Sequence, residues 1–233
     1  MFCFGHRGAR GHEPENTVRS VQRAIELGAN GIEVDVHFVH GELLVIHDST
    51  LQRTTNGRGR LAGKSLEYLR SLDAGKGERI PTLQEVFCAV NRRAMINIEL
   101  KGRHTAEPVA RLIMDFVRNR GWHFEDFLVS SFHRTELRAL EGFPVAVGIL
   151  FARTPRRWDA LADELNAVSL HTSLAHTTPE FVKAAHCRGL KVFVYTVNAH
   201  ADIQRMAQMG VDGIFTDYPE RGVGFESTQD IRP

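Results

Sequence analysis

Gly31-Ile32-Glu33-Val34-Asp35-Val36-His37 is the stretch on which the reading of this chain turns. Alternate residues of a strand share a face, so Glu33 and Asp35 point one way and the apolar residues between them the other. Strands of related character lie on both sides of it in the sequence. Phe2-Cys3-Phe4-Gly5 runs into His6-Arg7-Gly8, and Glu42-Leu43-Leu44-Val45-Ile46 ends at His47-Asp48. Ala94-Met95-Ile96-Asn97-Ile98-Glu99-Leu100-Lys101 carries Glu99 and Lys101 on one face at its far end. Three carboxylates on the inner face of one sheet are costly to bury unpaired, and a divalent cation between them would resolve that cost.

Outward from these strands, apolar runs alternate with helical patterns almost to the end of the chain. Helices are expected from Glu15 to about Leu27, from Pro81 (with Pro in the first turn), from Glu107 to Asn119, and from Arg134 to Leu140. Three more are expected over 155–164, from a Thr178 cap to Cys187, and from Ala201 to Met209. The strands between them fall at Phe127–Ser130, Pro144–Leu150, Ala167–Leu170, Leu190–Thr196 and Gly213–Thr216. This βα alternation implies a parallel sheet covered by helices. About eight strands in 233 residues favour a single α/β domain, a closed TIM (β/α)8 barrel, over an open doubly wound sheet, and no early G-x-G-x-x-G supports the latter. Active sites of such barrels lie at the C-terminal strand ends, where His6, Glu33, Asp35, His47, Glu99, Lys101, Ser130 and Tyr195 all fall. A polar, Gly-rich insertion of about 49–80, with one helical piece near 65–72, interrupts the rhythm after the His47 strand; it is expected at the mouth, where it could cover substrate. The tail of about 222–233 has no periodic pattern and is expected to be poorly ordered.

Bulk properties exclude several classes. The formal net charge is +1, which argues against nucleic acid as a partner. No apolar run is long enough to span or insert in a bilayer. The three cysteines lack metal-type spacing; Cys3 and Cys88 read as small core residues. With few residues ahead of His6 for a signal peptide, a reducing, cytoplasmic setting is expected.

Glu33, Asp35 and Glu99 offer oxygen donors suited to one hard divalent cation, Mg²⁺ or Ca²⁺. A buried salt-bridge cluster with Arg7 and Lys101 is the bland alternative. Histidine as a residue type suits proton transfer near neutral pH, so His6 and His47 could serve as a general acid/base pair; a structural role for either is equally open. Arg7 and Lys101 could bind a phosphoryl group, neutralise the carboxylates, or do both. Phe132 and Tyr195 could wall a small alcohol, with core packing the competing role for Phe132. Asn16 either caps a helix or holds the Arg7 loop.

Taken together, the segments His6-Arg7-Gly8, Pro14-Glu15-Asn16-Thr17, Glu33-Val34-Asp35-Val36 and Ile46-His47-Asp48 resemble the glycerophosphodiester phosphodiesterase family. The likeness continues through Leu51 to Gly57, Ile80-Pro81-Thr82-Leu83, Asn97 to Lys101, Ser130-Ser131-Phe132 and Gly213 to Pro219. The resemblance implies a TIM barrel that hydrolyses a small-molecule glycerophosphodiester to sn-glycerol 3-phosphate and an alcohol with a divalent cation. By it, His6 and His47 are the acid/base pair, Glu33, Asp35 and Glu99 hold the metal, and Arg7 and Lys101 face the phosphate. Tyr195 stands where the family often carries Trp, so the wall around the glycerol differs. The short N-terminus is similar to that of cytoplasmic bacterial members. A glycerol 2-hydroxyl bound beside phosphorus makes attack intramolecular, which favours a cyclic phosphate route over direct attack by water. Two other readings compete: a related barrel phospholipase acting on lipid phosphodiesters, and a non-catalytic phosphate- or metal-binding barrel.

Overall fold

The computed structural model describes residues 1–224. Its strands are β1 (Phe2–Gly5), β2 (Gly31–Val39), β3 (Glu42–Val45), β4 (Met95–Leu100), β5 (Phe127–Ser131), β6 (Ala146–Phe151), β7 (Ser169–Ser173), β8 (Lys191–Tyr195) and β9 (Gly213–Thr216). All except β3 pair in parallel, in the order β1-β2-β4-β5-β6-β7-β8-β9, and β9 returns to β1 with Phe2 opposite Gly213 and Gly5 opposite Thr216. The result is the expected closed eight-stranded TIM barrel.

Around it lie α1 (Val18–Glu26), α2 (Leu66–Ser71), α3 (Leu83–Val90), α4 (Ala106–Asn119), α5 (Arg134–Arg138), α6 (Trp158–Glu164), α7 (Pro179–His186), α8 (His200–Met209) and α9 (Pro219–Gly222). Their ends follow local chemistry. Thr17, Thr82 and Thr178 accept from the backbone N–H three residues on, and Glu85 completes a capping box with Thr82. Gly210 closes α8 in the left-handed conformation. Pro81 lies one residue before the Thr82 cap and not in the first turn, since the threonine hydroxyl takes the capping position.

Strand alternation sorts two cores. Ile32, Val34, Val36, Ile96, Ile98 and Leu100 face outward into the main core, with Val21, Phe87 and Ile113 of the helices. Phe4, Met95, Leu128, Phe193 and Phe215 fill the barrel interior, with Phe4 stacked on Phe215 at 4.8 Å. Met95 and Leu128 precede Asn97, Glu99 and Ser130 on the same inner faces, so this aromatic plug floors the polar end of the barrel.

The third strand departs from the expected rhythm. It is antiparallel, folded back on β2 through His40 and Gly41, with Val36 opposite Val45 and Val39 opposite Glu42. β1 pairs with β2 only at Gly31 and Ile32, and β3 takes over the same edge from Val36 onward. A hairpin needs only a two-residue turn, and the apolar run of β3 reads the same in either direction.

The insertion of about 49–80 builds a small core of its own: Leu51, Leu61, Leu69, Leu72, Ala74 and Ile80 pack on Val39, Leu44 and Ile46 of the hairpin. Cys3 is buried as expected, whereas Cys88 is exposed, because α3 turns its apolar stripe of Leu83, Val86, Phe87 and Val90 inward and Cys88 away. The expectation of a poorly ordered tail falls, from residue 225 on, outside the described residues. No helix of the described residues is long and apolar enough to cross a membrane.

Candidate active site

Glu33 and Asp35 on β2 face inward beside Asn97 and Glu99 on β4, their register partners, and Ser130 of β5 lies opposite Glu99. Carboxylate oxygens of Glu33, Asp35 and Glu99 all lie within 4.8 Å of one another. Four inward oxygens here, Glu33 Oε1, Asp35 Oδ1, Asn97 Oδ1 and Ser130 Oγ, are buried and accept no hydrogen bond. Buried acceptors are normally satisfied, and a ligand that supplies positive charge would satisfy this cluster beside the Lys101 ammonium, which lies 3.7 Å from Asp35 Oδ1. Oxygen donors of this kind fit a hard divalent cation. Burial, reinforced by Asp35, raises the Glu99 carboxyl to about 7. Burial, then Asp35 and Glu99, likewise raises Glu33.

The loop after β1 closes one side. His6 N–H donates to Thr216 O (2.9 Å). Its Nδ1 lies 2.7 Å from Asp217 Oδ1. Burial would raise the Asp217 carboxyl, but the hydrogen bonds from His6 and Asn198 outweigh it and hold it low. An ionised carboxylate fixes the proton on Nδ1 and leaves Nε2 for the cavity. Arg7 takes a positive φ of 53°, which turns its N–H to Glu33 Oε2 (2.8 Å) and its guanidinium to Glu15 (2.7 Å) and Asp35 (3.1 Å). Gly8 follows at φ 80°, where a Cβ would meet the Ser20 backbone at 2.5 Å. Asn16 settles its ambiguity: Nδ2 donates to Asp35 Oδ2 (2.9 Å), Oδ1 accepts from Asp35 N–H (3.2 Å), and its own N–H bonds Arg7 O. Thr17, the next residue, is the helix cap.

His47 reaches the cavity from the returning hairpin. Ile46 N–H donates to Asp35 O (2.9 Å), which sets the next residue at the rim. His47 Nδ1 lies 2.5 Å from Asp48 Oδ1, and Arg53 of the insertion clamps both Asp48 oxygens. Burial lowers the His47 pKa despite the opposing carboxylates of Asp35 and Asp48. Lys101 Nζ donates to Glu99 Oε1 (2.8 Å) and lies 3.1 Å from His47 Nε2. Burial would lower the Lys101 pKa, but Glu99 and Asp35 outweigh it and raise it.

These groups surround a cavity of about 300 Å³. His6, Arg7, Glu33, His47, Glu99, Lys101, Phe132 and Tyr195 line it, and Asp35 sits just behind, held by Asn16 and Arg7. Phe132 is not core: it is 40% exposed, its ring edge-on to Tyr195 at 6.0 Å and under Lys101 Nζ at 5.8 Å. Arg10, Asn97, Leu150, Thr196 and Phe215 complete the lining. No described residue between 49 and 80 does. The insertion therefore lies beside the mouth, braced by Arg53 against Glu15 and Asp48, rather than over it.

Sequence reading missed Asn97, Asp217, Asn198 and the role of Asp48. Asn97 shares the inner face of β4 with Glu99, and that alternation could have found it. Asp217 gave no such signal, since its partner is at the other end of the chain.

The pattern of the glycerophosphoryl diester phosphodiesterase family matches residues 6–221. The chain belongs to that family, and it is a glycerophosphodiester phosphodiesterase, a phosphoric diester hydrolase. It is 38% identical to the glycerophosphodiester phosphodiesterase of Caldanaerobacter subterraneus, over 94% of this chain and 95% of that one. It is 37% identical to that of Bacillus altitudinis, over 94% and 96%. Among solved structures, an Oleispira antarctica phosphodiesterase in complex with the product sn-glycerol-3-phosphate superposes with a TM-score of 0.87 at 28% identity, covering 97% of this chain and 96% of that one.

Proposed function

We propose that this enzyme releases sn-glycerol 3-phosphate and an alcohol by acid/base catalysis between His6 and His47, with one divalent cation, Mg²⁺ or Ca²⁺, held by Glu33, Asp35 and Glu99. The observation that carries the reading is the unsatisfied oxygen cluster set between two histidines that each lean on a carboxylate. A cation bound there would supply Lewis acidity toward the phosphodiester and its neighbouring hydroxyl.

The chain's own residues divide the remaining work. Arg7 is held at the cavity by Glu15 and Asp35, and Lys101 by Glu99, so both present fixed positive charge to the phosphoryl oxygens. Phe132 and Tyr195 wall the glycerol. The substrate's 2-hydroxyl attacks phosphorus, the new O–P bond forms, and the bond to the leaving alcohol breaks. One histidine takes the hydroxyl proton while the other protonates the leaving oxygen. Water then opens the cyclic phosphate with the two roles exchanged. Asp217 and Asp48 hold the rings so that Nε2 of each faces the reacting atoms. The substrate is a small molecule, in line with the product bound by the Oleispira antarctica relative. A cytoplasmic setting belongs to the same reading and rests on the three free cysteines.

The test is a substrate analogue lacking the glycerol 2-hydroxyl. The proposal expects its hydrolysis to fall by several orders of magnitude, because the intramolecular nucleophile is gone. A kcat close to that of the normal substrate would exclude the cyclic route and leave direct attack by water.

A further inference from the structure

The loops that follow β4, β5 and β6 stand side by side at the C-terminal face of the barrel. Arg103 lies in the first, Arg153, Arg156 and Arg157 in the third, and Arg134 opens α5 just after the second. All five are exposed. Between these strand ends and the helices that follow there is no aspartate or glutamate. The nearby carboxylates are committed elsewhere. Glu136 of α5 is buried and accepts from the backbone N–H groups of His104, Thr105 and Ala106. Glu107 pairs with Arg111, Glu164 with Arg138 and Asp163 with Arg188. Asp159, in the first turn of α6, lies within electrostatic reach of Arg188. Among the described residues the five arginines have no ion-pair partner.

The opposite side of the mouth is arranged differently. There Arg7, Arg10 and Arg53 are each paired with Glu15, Asp48 or Asp217. A chain with a net charge of only +1 thus carries unpaired positive charge on three neighbouring loops of the barrel mouth, outside the cavity lining itself. That side is tied to the cavity wall: Tyr195 Oη donates to Phe151 O (2.7 Å), and the β6 loop begins at the next residue.

We infer that this cationic rim is a subsite for a second negative charge, so that the favoured leaving alcohol itself carries a phosphate or a carboxylate. The inference rests on the proposed phosphodiester hydrolysis and specifies the class of alcohol. Scissile phosphate sits at Arg7 and Lys101, and an alcohol leaving toward β4–β6 passes the exposed ring of Phe132 and meets the arginines beyond it. Unpaired guanidinium groups suit a planar carboxylate or a phosphate, which they grip with two parallel hydrogen bonds. Three-sided access from separate loops lets the group be reached whatever the conformation of the short link to the scissile phosphate.

The experiment compares three substrates on the holoenzyme: glycerophosphocholine, glycerophosphoglycerol, and glycerophosphoglycerol bearing a further phosphate on the leaving glycerol. Exposed ion pairs are each worth a factor of roughly two to five, so three arginines together give a preference of about tenfold in kcat/KM for the phosphorylated alcohol. The Arg153→Gln/Arg156→Gln/Arg157→Gln variant should lose most of that preference, and adding Arg103→Gln and Arg134→Gln the remainder, while kcat and KM for glycerophosphocholine stay unchanged in both. Salt should erode the preference in the parent enzyme and have little further effect in the variant. Equal kcat/KM for glycerophosphoglycerol and its phosphorylated form, with both hydrolysed, would overturn the subsite and leave the hydrolase reading standing. No turnover of any of the three would sink both. Sedimentation with phosphatidylglycerol vesicles, lost in the triple variant and without a substrate preference, would assign the rim to a membrane surface and overturn the inference.

Discussion

His6 Nδ1 and Asp217 Oδ1 lie 2.7 Å apart although 211 residues separate them. They meet because β9 closes the barrel on β1, with Gly5 opposite Thr216, so that the residues following each strand emerge together. Asn198, from the loop after β8, donates to the other Asp217 oxygen (2.9 Å) and accepts from the Asp217 N–H (2.9 Å). The loops after the last two strands therefore orient the residue that follows the first.

Asp217→Asn keeps this shape but removes the charge that fixes the His6 proton on Nδ1. In a serine protease the equivalent change in a histidine-orienting aspartate lowers kcat about 10⁴-fold. Here a loss of at least about 10²-fold in kcat is expected, with KM and melting temperature little changed. A variant with normal kcat would show that Asp217 supports only the fold.

His6→Ala and His47→Ala should each lower kcat by roughly 10²–10⁴-fold without unfolding the protein. If the two act as a unit, the double variant should fall well short of the multiplied losses. Steady-state kinetics on the three variants, with circular dichroism for the fold, provides the check. Near-normal turnover by His47→Ala would make that residue structural.

Chelation should abolish activity, and Mg²⁺ or Ca²⁺ should restore it. The metal-free protein should also have a distinctive pH dependence. Burial holds the Glu99 carboxyl up at about 7, and Glu33 is raised as well, against a usual value of 4.5. The folded state then binds more protons than the unfolded one between those values. The contribution to stability is complete below 4.5 and is lost as pH rises through about 7. Calorimetry in EDTA should show a melting temperature that declines across that window, and saturating cation should flatten the decline. An unchanged profile on adding cation, or full turnover in EDTA with no metal remaining, would refute the site.

The insertion is a structural partner of His47. Leu69 is fully buried in the small core it forms with Leu44 and Ile46 of the hairpin. Leu69→Ala should destabilise the protein by about 2–5 kcal/mol, measured by urea unfolding. Replacing residues 49–80 by a short Gly-Ser loop should lower kcat as well as stability, since it strips the cover from Leu44 and Ile46 and removes the Arg53 clamp on Asp48. A deletion product that raised KM alone would return the insertion to the role of a substrate cover.

The sequence by itself determined the barrel and much of the site. Alternation on β2 and β4 places Glu33, Asp35 and Glu99 on inner faces, because successive side chains of a strand point to opposite sides whatever the strand pairs with. The βα rhythm implies parallel strands for an equally local reason, since each helix carries the chain back across the sheet. Periodicity is silent on which edge a strand takes and in which direction. Only the tertiary structure decided that β3 turns back along β2 and delivers His47 from a hairpin, that Arg53 of the insertion steadies that histidine through Asp48, and that Asp217 reaches His6. Those contacts depend on how the barrel closes. Closure is fixed by the packing of the whole chain and not by the residues that happen to meet.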